Sequence, residues 1–278
     1  MLVAITGNLG KGKTLTLTYL AWNNFFIRRK RIFSNYTLYG VPYTPVNTIN
    51  GLLSLMPLQE ENLLTKQEVV YLGDELWRSL SSRTIGKGSK ERKDLIDRIL
   101  LGSRKAFVTV IYTTQNLAQI DPWIRRTTDL FIYPILYNGI LNIYFLSNPV
   151  SNPTLEQLYK YSTDKPLRVL VEPFYAMFNT YERVTEIKDG SDEMIERVVN
   201  IRKNPALQRY IFIDKQKDAE YFEKYCQHIE KKFWLYNEET YERDFKEGKL
   251  PYQQEAKELG LDQWYLRIGV KDGMGENK

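Results

Sequence analysis

The chain has 278 residues, 43% of them hydrophobic and 26% charged, the composition of an ordinary folded protein, which excludes extensive disorder. That length holds one sizeable α/β domain of about 150 to 200 residues and a smaller appendage. Net charge is +5, a mild basic excess that suits a polyanionic partner without demanding one, and the single cysteine, Cys226, excludes an intramolecular disulfide and argues against a cysteine-built metal site.

The N-terminus begins at once with Leu2-Val3-Ala4-Ile5-Thr6 and lacks the basic region, apolar core and cleavage site of a secretory signal, so a cytoplasmic location is expected. This apolar, strand-like run leads directly into Gly7-Asn8-Leu9-Gly10-Lys11-Gly12-Lys13-Thr14, a complete G-x-x-x-x-G-K-T phosphate-binding loop. In a strand-loop-helix setting Gly7, Gly10 and Gly12 let the backbone bend until successive N–H groups point at phosphate oxygens at a helix N-terminus. Lys13 adds a point charge, and Thr14 is placed to ligate magnesium through its hydroxyl. Asn8, Leu9, Lys11 and Leu15 complete the candidate ATP-binding set. No breaker interrupts Leu15 to Ile27, so a helix is predicted there; Arg28-Arg29-Lys30-Arg31 falls near its end, where the helix dipole favours cations.

A second apolar run, residues 69–73, ends in Asp74-Glu75. After a phosphate loop this pattern assigns Asp74 to the magnesium shell, and Glu75, one residue on, to accepting a proton from the attacking water. That pairing points to hydrolysis and away from phosphoryl transfer to a small acceptor; without the upstream loop, Asp74-Glu75 would read as a helix start, favoured by the dipole. Downstream, Arg83, Lys87, Lys90, Arg92 and Lys93 lie in a glycine-containing basic segment. It reads either as a cationic loop gripping DNA phosphates without regard to base sequence or as a solvated charged loop. A third run, residues 106–112, enters Thr113-Thr114-Gln115, where Gln115 can hydrogen-bond the γ-phosphate or the lytic water; a solvated turn is its plain alternative. Apolar runs separated by helical stretches predict a mostly parallel sheet with crossover helices, whose chemistry gathers at the C-terminal strand ends.

Asp129 to Leu146 is too interrupted by Pro134, Asn138, Gly139 and Asn142 for a membrane span, and reads as a hairpin turning on Asn138-Gly139. Pro134 then implies an edge strand or a bulge. Leu167–Glu172 and Phe174–Tyr181 are candidate further strands. The stretch from Ile187 to Asp192 resembles a linker entering a helix, which places a boundary between a P-loop ATPase domain, 1–187, and a mainly helical accessory domain, 188–278. In the latter, Ala219, Phe222, Cys226, Ile229 and Phe233 make one apolar helical face; Cys226 and His228 have no partner motif and read as structural.

Taken together, the P-loop strand, the strand ending in Asp-Glu and the later strand ending in Thr-Gln resemble the HerA/FtsK superfamily of DNA-pumping ATPases. Within it the chain looks most like Zot-like and viral genome-packaging ATPases, through Ser82-Arg83, Ser103-Arg104-Lys105, Ile120-Asp121-Pro122-Trp123-Ile124-Arg125-Arg126 and the closing Phe178-Asn179-Thr180-Tyr181-Glu182. The resemblance covers residues 1 to about 185 and implies a RecA-like α/β P-loop NTPase with a mostly parallel central sheet, to which the small, mainly helical C-terminal extension is added. It also implies ATP and Mg2+ as cofactors, a hexameric ring of identical subunits with ATP at their interfaces, and double-stranded DNA in the channel. A ring of this kind needs a cation from the neighbouring subunit; Arg83, Arg104, Arg125 and Arg126 are candidates, Arg104 and Arg125 preferred, each with a solvated or structural role as the alternative. The expected function is an ATP-hydrolysing double-stranded DNA translocase, a viral genome-packaging motor in the host cytoplasm with capsid proteins as further partners. The alternatives are a Zot-like ATPase for assembly or extrusion of filamentous particles, a nucleotide-dependent assembly factor without motor activity, and a P-loop kinase. The extra N-terminal domains of chromosome translocases have no counterpart before the P-loop, and no segment reads as the membrane span usual in Zot-like proteins, which favours a motor without direct membrane insertion.

Overall fold

The computed structural model describes residues 1–55, 68–76, 108–184, 188, 190, 192–207 and 217–260. Its centre is a sheet of eight strands: β1 (Leu2–Thr6), β2 (Arg31–Ser34), β3 (Thr44–Pro45), β4 (Val69–Gly73), β5 (Val108–Thr114), β6 (Leu130–Tyr137), β7 (Ile140–Leu146) and β8 (Leu167–Leu170). They run in the order β3-β2-β4-β5-β1-β6-β7-β8. All pairs from β3 to β6 are parallel, and only β7 and β8 are antiparallel additions. The three apolar runs of the sequence are thus the adjacent central strands β4, β5 and β1, in the RecA-like arrangement that sets one strand between the P-loop strand and the Asp-Glu strand.

These central strands are buried at every position because both faces are covered, which is why they read as continuous apolar runs and not as alternating ones. Val3, Ile5, Val70, Leu72 and Ile111 face the first helix, α1 (Lys13–Trp22), and pack with its Leu17 and Ala21. Leu2, Ala4, Tyr71, Val110 and Tyr112 face the other way. There they meet Ile124 of α3 (Pro122–Thr127) and Leu158 of α4 (Leu155–Tyr161). A short helix α2 (Ile49–Ser54) follows β3.

The hairpin of β6 and β7 turns on Asn138 and Gly139, at φ 47° and 72°, the two left-handed residues of a type I′ turn. Pro134 departs from expectation, since β6 is an interior strand. It is tolerated because β1 pairs with β6 only from Leu130 to Ile132, so Pro134 extends beyond the end of β1 while its other side meets Ile143. Leu167–Leu170 is a strand, but Glu172–Ala176 forms a 3-10 turn opened by Pro173, and Phe178 makes only an isolated bridge to Leu38.

The described residues of the expected linker, Lys188, Gly190 and Asp192, hydrogen-bond to residues 47–50. Asp192 accepts hydrogen bonds from the Asn47 and Thr48 backbone and from the Thr48 hydroxyl at 2.7–2.9 Å, and no helix follows it among the described residues before the short turn Ile201–Lys203. The basic run starts at the helix C-terminus, as expected, with Arg28 as the C-cap, and continues beyond it into β2. The helix passes through a π-helical turn, Asn23–Ile27, and ends; Arg29 takes a left-handed φ of 56° and pairs with Glu258, while Arg31 opens β2, buried over the rings of Phe33 and Tyr252.

Helices α5 (Lys217–Phe233), α6 (Glu238–Lys246) and α7 (Pro251–Glu258) pack on the α1 face, where Cys226, Ile229, Leu250, Tyr252 and Ala256 belong to the same buried cluster as Leu17 and Phe25. Trp22 fastens them: its indole N–H donates to the Phe233 carbonyl at 3.0 Å and its ring stacks on Trp234. Burial pushes the Cys226 thiol up to about 12, in keeping with a structural cysteine, and His228 is exposed on α5. Among the described residues no helix is long and apolar enough to cross a membrane.

Candidate functional site

The parallel register aligns the C-terminal ends of the central strands: Thr6 lies opposite Thr114, Gly73 opposite Tyr112 and Ser34 opposite Leu72. Each strand therefore delivers its next residues to one edge of the sheet. From β1 comes the loop Gly7–Gly12, from β4 the turn Asp74-Glu75, from β5 Gln115, and from β2 Asn35.

Gly10 and Gly12 stand at φ 75° and 90°, where an L side chain is strained by roughly 1–2 kcal/mol per residue. Gly12 is the N-cap of α1 and is constrained in space as well, since a Cβ there would lie 2.9 Å from Leu141 Cδ1 of the hairpin. Helix α1 has no acidic residue in its first turn, so its positive end and free N–H groups face the loop. The Lys13 ammonium folds back over the loop and donates to the carbonyls of Gly7 at 2.8 Å and Asn8 at 3.1 Å. Burial lowers its pKa, opposed by the nearby charges of Asp74 and Glu75. Leu9, in the loop, is 75% exposed, and Leu15 is buried in the first turn of α1.

Thr14, one residue further, donates its hydroxyl to Asp74 Oδ2 at 3.0 Å. Asp74 is only 8% exposed. Burial raises its pKa, while hydrogen bonds from Thr113 and Thr14 act in the opposite direction and the Glu75 charge adds to the rise. The other oxygen, Oδ1, accepts from the Thr113 hydroxyl at 2.7 Å, and the same hydroxyl accepts from the Glu75 N–H at 2.7 Å. From the opposite side, the Asn35 amide grips the backbone: its Nδ2 donates to the Asp74 carbonyl at 2.9 Å and its Oδ1 accepts from the Asp74 N–H at 2.7 Å. Glu75 itself takes a left-handed φ of 47° in the turn that follows β4.

Gln115 and Asn116 join Gly7, Asn8 and Lys11 around a cleft of about 260 Å³ that continues past Pro134 to Asn152. The glutamine thus lies on the same edge as the loop. Glu182, from the closing motif, holds the segment that follows β2 by accepting from the Thr37 N–H and hydroxyl at 2.9–3.1 Å; burial raises its pKa.

The structure therefore brings Gly7–Thr14, Asp74, Glu75 and Gln115 together. Arg125 lies elsewhere, on α3, with its guanidinium 3.5 Å from the Leu117 carbonyl and no hydrogen bond to the P-loop or Asp74 among the described residues; Arg126 is exposed on the same helix. Arg83, Lys87, Lys90, Arg92, Lys93 and Arg104 fall outside the described residues. Sequence reasoning missed Asn35 and Thr113, which carry no motif of their own. Thr113 was visible only as a polar residue at the end of an apolar run, and the β2 strand that delivers Asn35 was hidden behind the basic run.

No family model matches the chain, and no curated protein matches it. Among solved structures it is similar to the N-terminal domain of zonular occludens toxin from Neisseria meningitidis, with a TM-score of 0.43, 16% identity, and 64% of this chain and 98% of that one covered. It is also similar to the genome packaging NTPase B204 of Sulfolobus turreted icosahedral virus 2 in complex with ATP-gammaS, with a TM-score of 0.35, 13% identity, and 55% and 98% covered. A KaiC-like protein from Pyrococcus horikoshii gives a TM-score of 0.35 at 14% identity, with 60% and 82% covered.

Proposed function

We propose that this chain is a magnesium-dependent ATPase that moves double-stranded DNA, the genome-packaging motor of a virus. The observation that carries the ATPase half is the 3.0 Å contact between the Thr14 hydroxyl and Asp74 Oδ2, which joins the loop of one strand to the carboxylate of another at the one edge that also carries Glu75 and Gln115. A hydroxyl and a carboxylate are hard oxygen donors, the type magnesium takes when phosphate oxygens complete its shell. Asp74, buried and held against a second hydroxyl, has the environment of a carboxylate that gains from a cation. Thr14 and Asp74 are the residues that would hold the ion, which when bound neutralises charge on the phosphates.

In this reading the backbone N–H groups from Gly7 to Leu15 and the Lys13 ammonium hold the nucleotide phosphates, Lys13 exchanging its carbonyl partners for phosphate oxygens. Glu75 accepts the proton of the attacking water, and Gln115 hydrogen-bonds that water or the γ-phosphate. Arg104 or Arg125 of a neighbouring subunit supplies the cation that stabilises transition-state charge, an effect worth about 10³-fold or more in rate, in a ring-shaped homo-oligomer such as a hexamer. Arg83, Lys87, Lys90, Arg92 and Lys93 grip DNA phosphates in the channel, a contact that weakens as salt rises. The DNA half rests on the motif resemblance and on the basic balance of the chain. The test is the ATPase rate of the purified protein against DNA form and length, with mass determination in the same buffer. Hydrolysis that needs magnesium and rises with double-stranded DNA is expected. Hydrolysis by an assembled ring that is indifferent to DNA would sink the motor and leave an assembly ATPase, and phosphorylation of a small acceptor would replace both.

A further inference from the structure

We propose that Thr113 and Asn35 are positioning residues that set which oxygen of Asp74 faces the magnesium ion, an inference that rests on reading the site as a magnesium-nucleotide site. Strand β4 lies between β2 and β5, and each neighbour reaches past the strand end to hold the turn that follows. The direction of the Thr113 bonds is fixed by chemistry. The Glu75 backbone N–H can only donate, so Thr113 Oγ1 accepts there and sends its single proton to Asp74 Oδ1, at 2.7 Å in both cases. Oδ1 is thereby committed to Thr113. Oδ2, beside the Thr14 hydroxyl, is left as the oxygen turned toward the phosphate loop.

Asn35 restrains the other degree of freedom. By donating to the Asp74 carbonyl and accepting from its N–H, one side-chain amide occupies both backbone groups of that residue and continues the sheet ladder beyond the last β4 residue. The restraint has something to oppose, because Glu75 is held at φ 47°, a conformation an unrestrained glutamate leaves readily. Both side chains are buried, and both bond to the turn and not to the loop.

The experiment measures binding of a fluorescent, non-hydrolysable ATP analogue with magnesium and with EDTA, together with the magnesium concentration at half-maximal ATPase rate. It uses wild type, Thr113→Val, Thr113→Ser and Asn35→Ala, each with its melting temperature. Thr113→Val should reduce the magnesium-dependent gain in analogue affinity about 10-fold or more and raise the half-saturating magnesium by a similar factor, with affinity in EDTA unchanged. Thr113→Ser, which keeps the hydroxyl, should restore both. Asn35→Ala should shift the same two readouts by a smaller factor, and it carries the test if Thr113→Val does not fold. Variants that match wild type in both readouts, or that lose affinity equally with magnesium and with EDTA, overturn the inference while leaving the site reading intact. Wild-type protein that binds the analogue equally in both buffers refutes the site reading and this inference with it.

Discussion

From Gly7 to Thr14 the chain completes its structure almost within itself: Lys13 is held by the carbonyls of Gly7 and Asn8, and the turns are made by glycines at positive φ. The Asp74-Glu75 turn is made the opposite way. Its backbone is held by Asn35, 39 residues upstream, and its carboxylate by Thr113, 39 residues downstream, while Thr14 reaches it from 60 residues away. The difference teaches where each half is vulnerable. The loop depends on local backbone freedom, whereas the turn depends on three strands keeping their register.

Substitutions in the two halves should therefore fail in different ways, and the largest effects fall on the chemistry. Lys13→Ala should lower ATP turnover by about 10²-fold or more through lost binding of the phosphates, with the melting temperature nearly unchanged, because the partners it leaves are loop carbonyls that water can reach. Glu75→Gln should bind ATP as wild type does and lose about 10²- to 10⁴-fold in turnover. Single-turnover measurements separate the two, and retained turnover in Glu75→Gln would exclude Glu75 as the general base.

A stability effect comes next. Gly12→Ala puts a Cβ 2.9 Å from Leu141 Cδ1 and a side chain at φ 90°, so roughly 1–3 kcal/mol of unfolding free energy should be lost by denaturant titration. A neutral Gly12→Ala would mean that the hairpin yields and that the loop is less self-contained than its geometry implies.

The same contrast explains what the sequence disclosed. Gly7–Thr14 was legible because its requirements are local: glycine where φ is positive, a lysine and a threonine at fixed offsets, an apolar strand before and a helix after. The hairpin was legible for the same reason, since Asn138-Gly139 alone specifies its turn. Asp74 and Glu75 were legible as residue types at a strand end, but not the bonds that hold them, because pairing of β2 with β4 and of β4 with β5 has no local signature. Arg31 marks the limit of local signals: Arg28-Arg29-Lys30-Arg31 falls near the helix end, where the dipole favours cations, yet the last of the four lies beyond it, buried in β2 against the rings of Phe33 and Tyr252. Pro134 misled, for a proline is admitted to an interior strand where the neighbouring strand has already ended.

The smallest expected effect tests whether the Asp74 turn carries a cost that the loop does not. Burial raises the Asp74 pKa in the folded chain, so folding disfavours its charged form. With a folded value above the unfolded one, the native state binds more protons in the interval between them, and the stability contributed by Asp74 is present below the unfolded value and lost as pH rises through the folded one. Asp74→Asn keeps an oxygen for the Thr113 hydroxyl and removes the charge. In EDTA and without nucleotide it should melt at or above the wild-type temperature near neutral pH, by an amount on the order of 1 kcal/mol or less, and the gap should close as pH falls through the folded pKa of Asp74. With magnesium and ATP present the order should reverse, since only the carboxylate gains from the bound ion. A gap that is constant with pH would show that the turn bears no buried-charge penalty, and the contrast between a loop built for backbone freedom and a turn held under electrostatic load would fail with it.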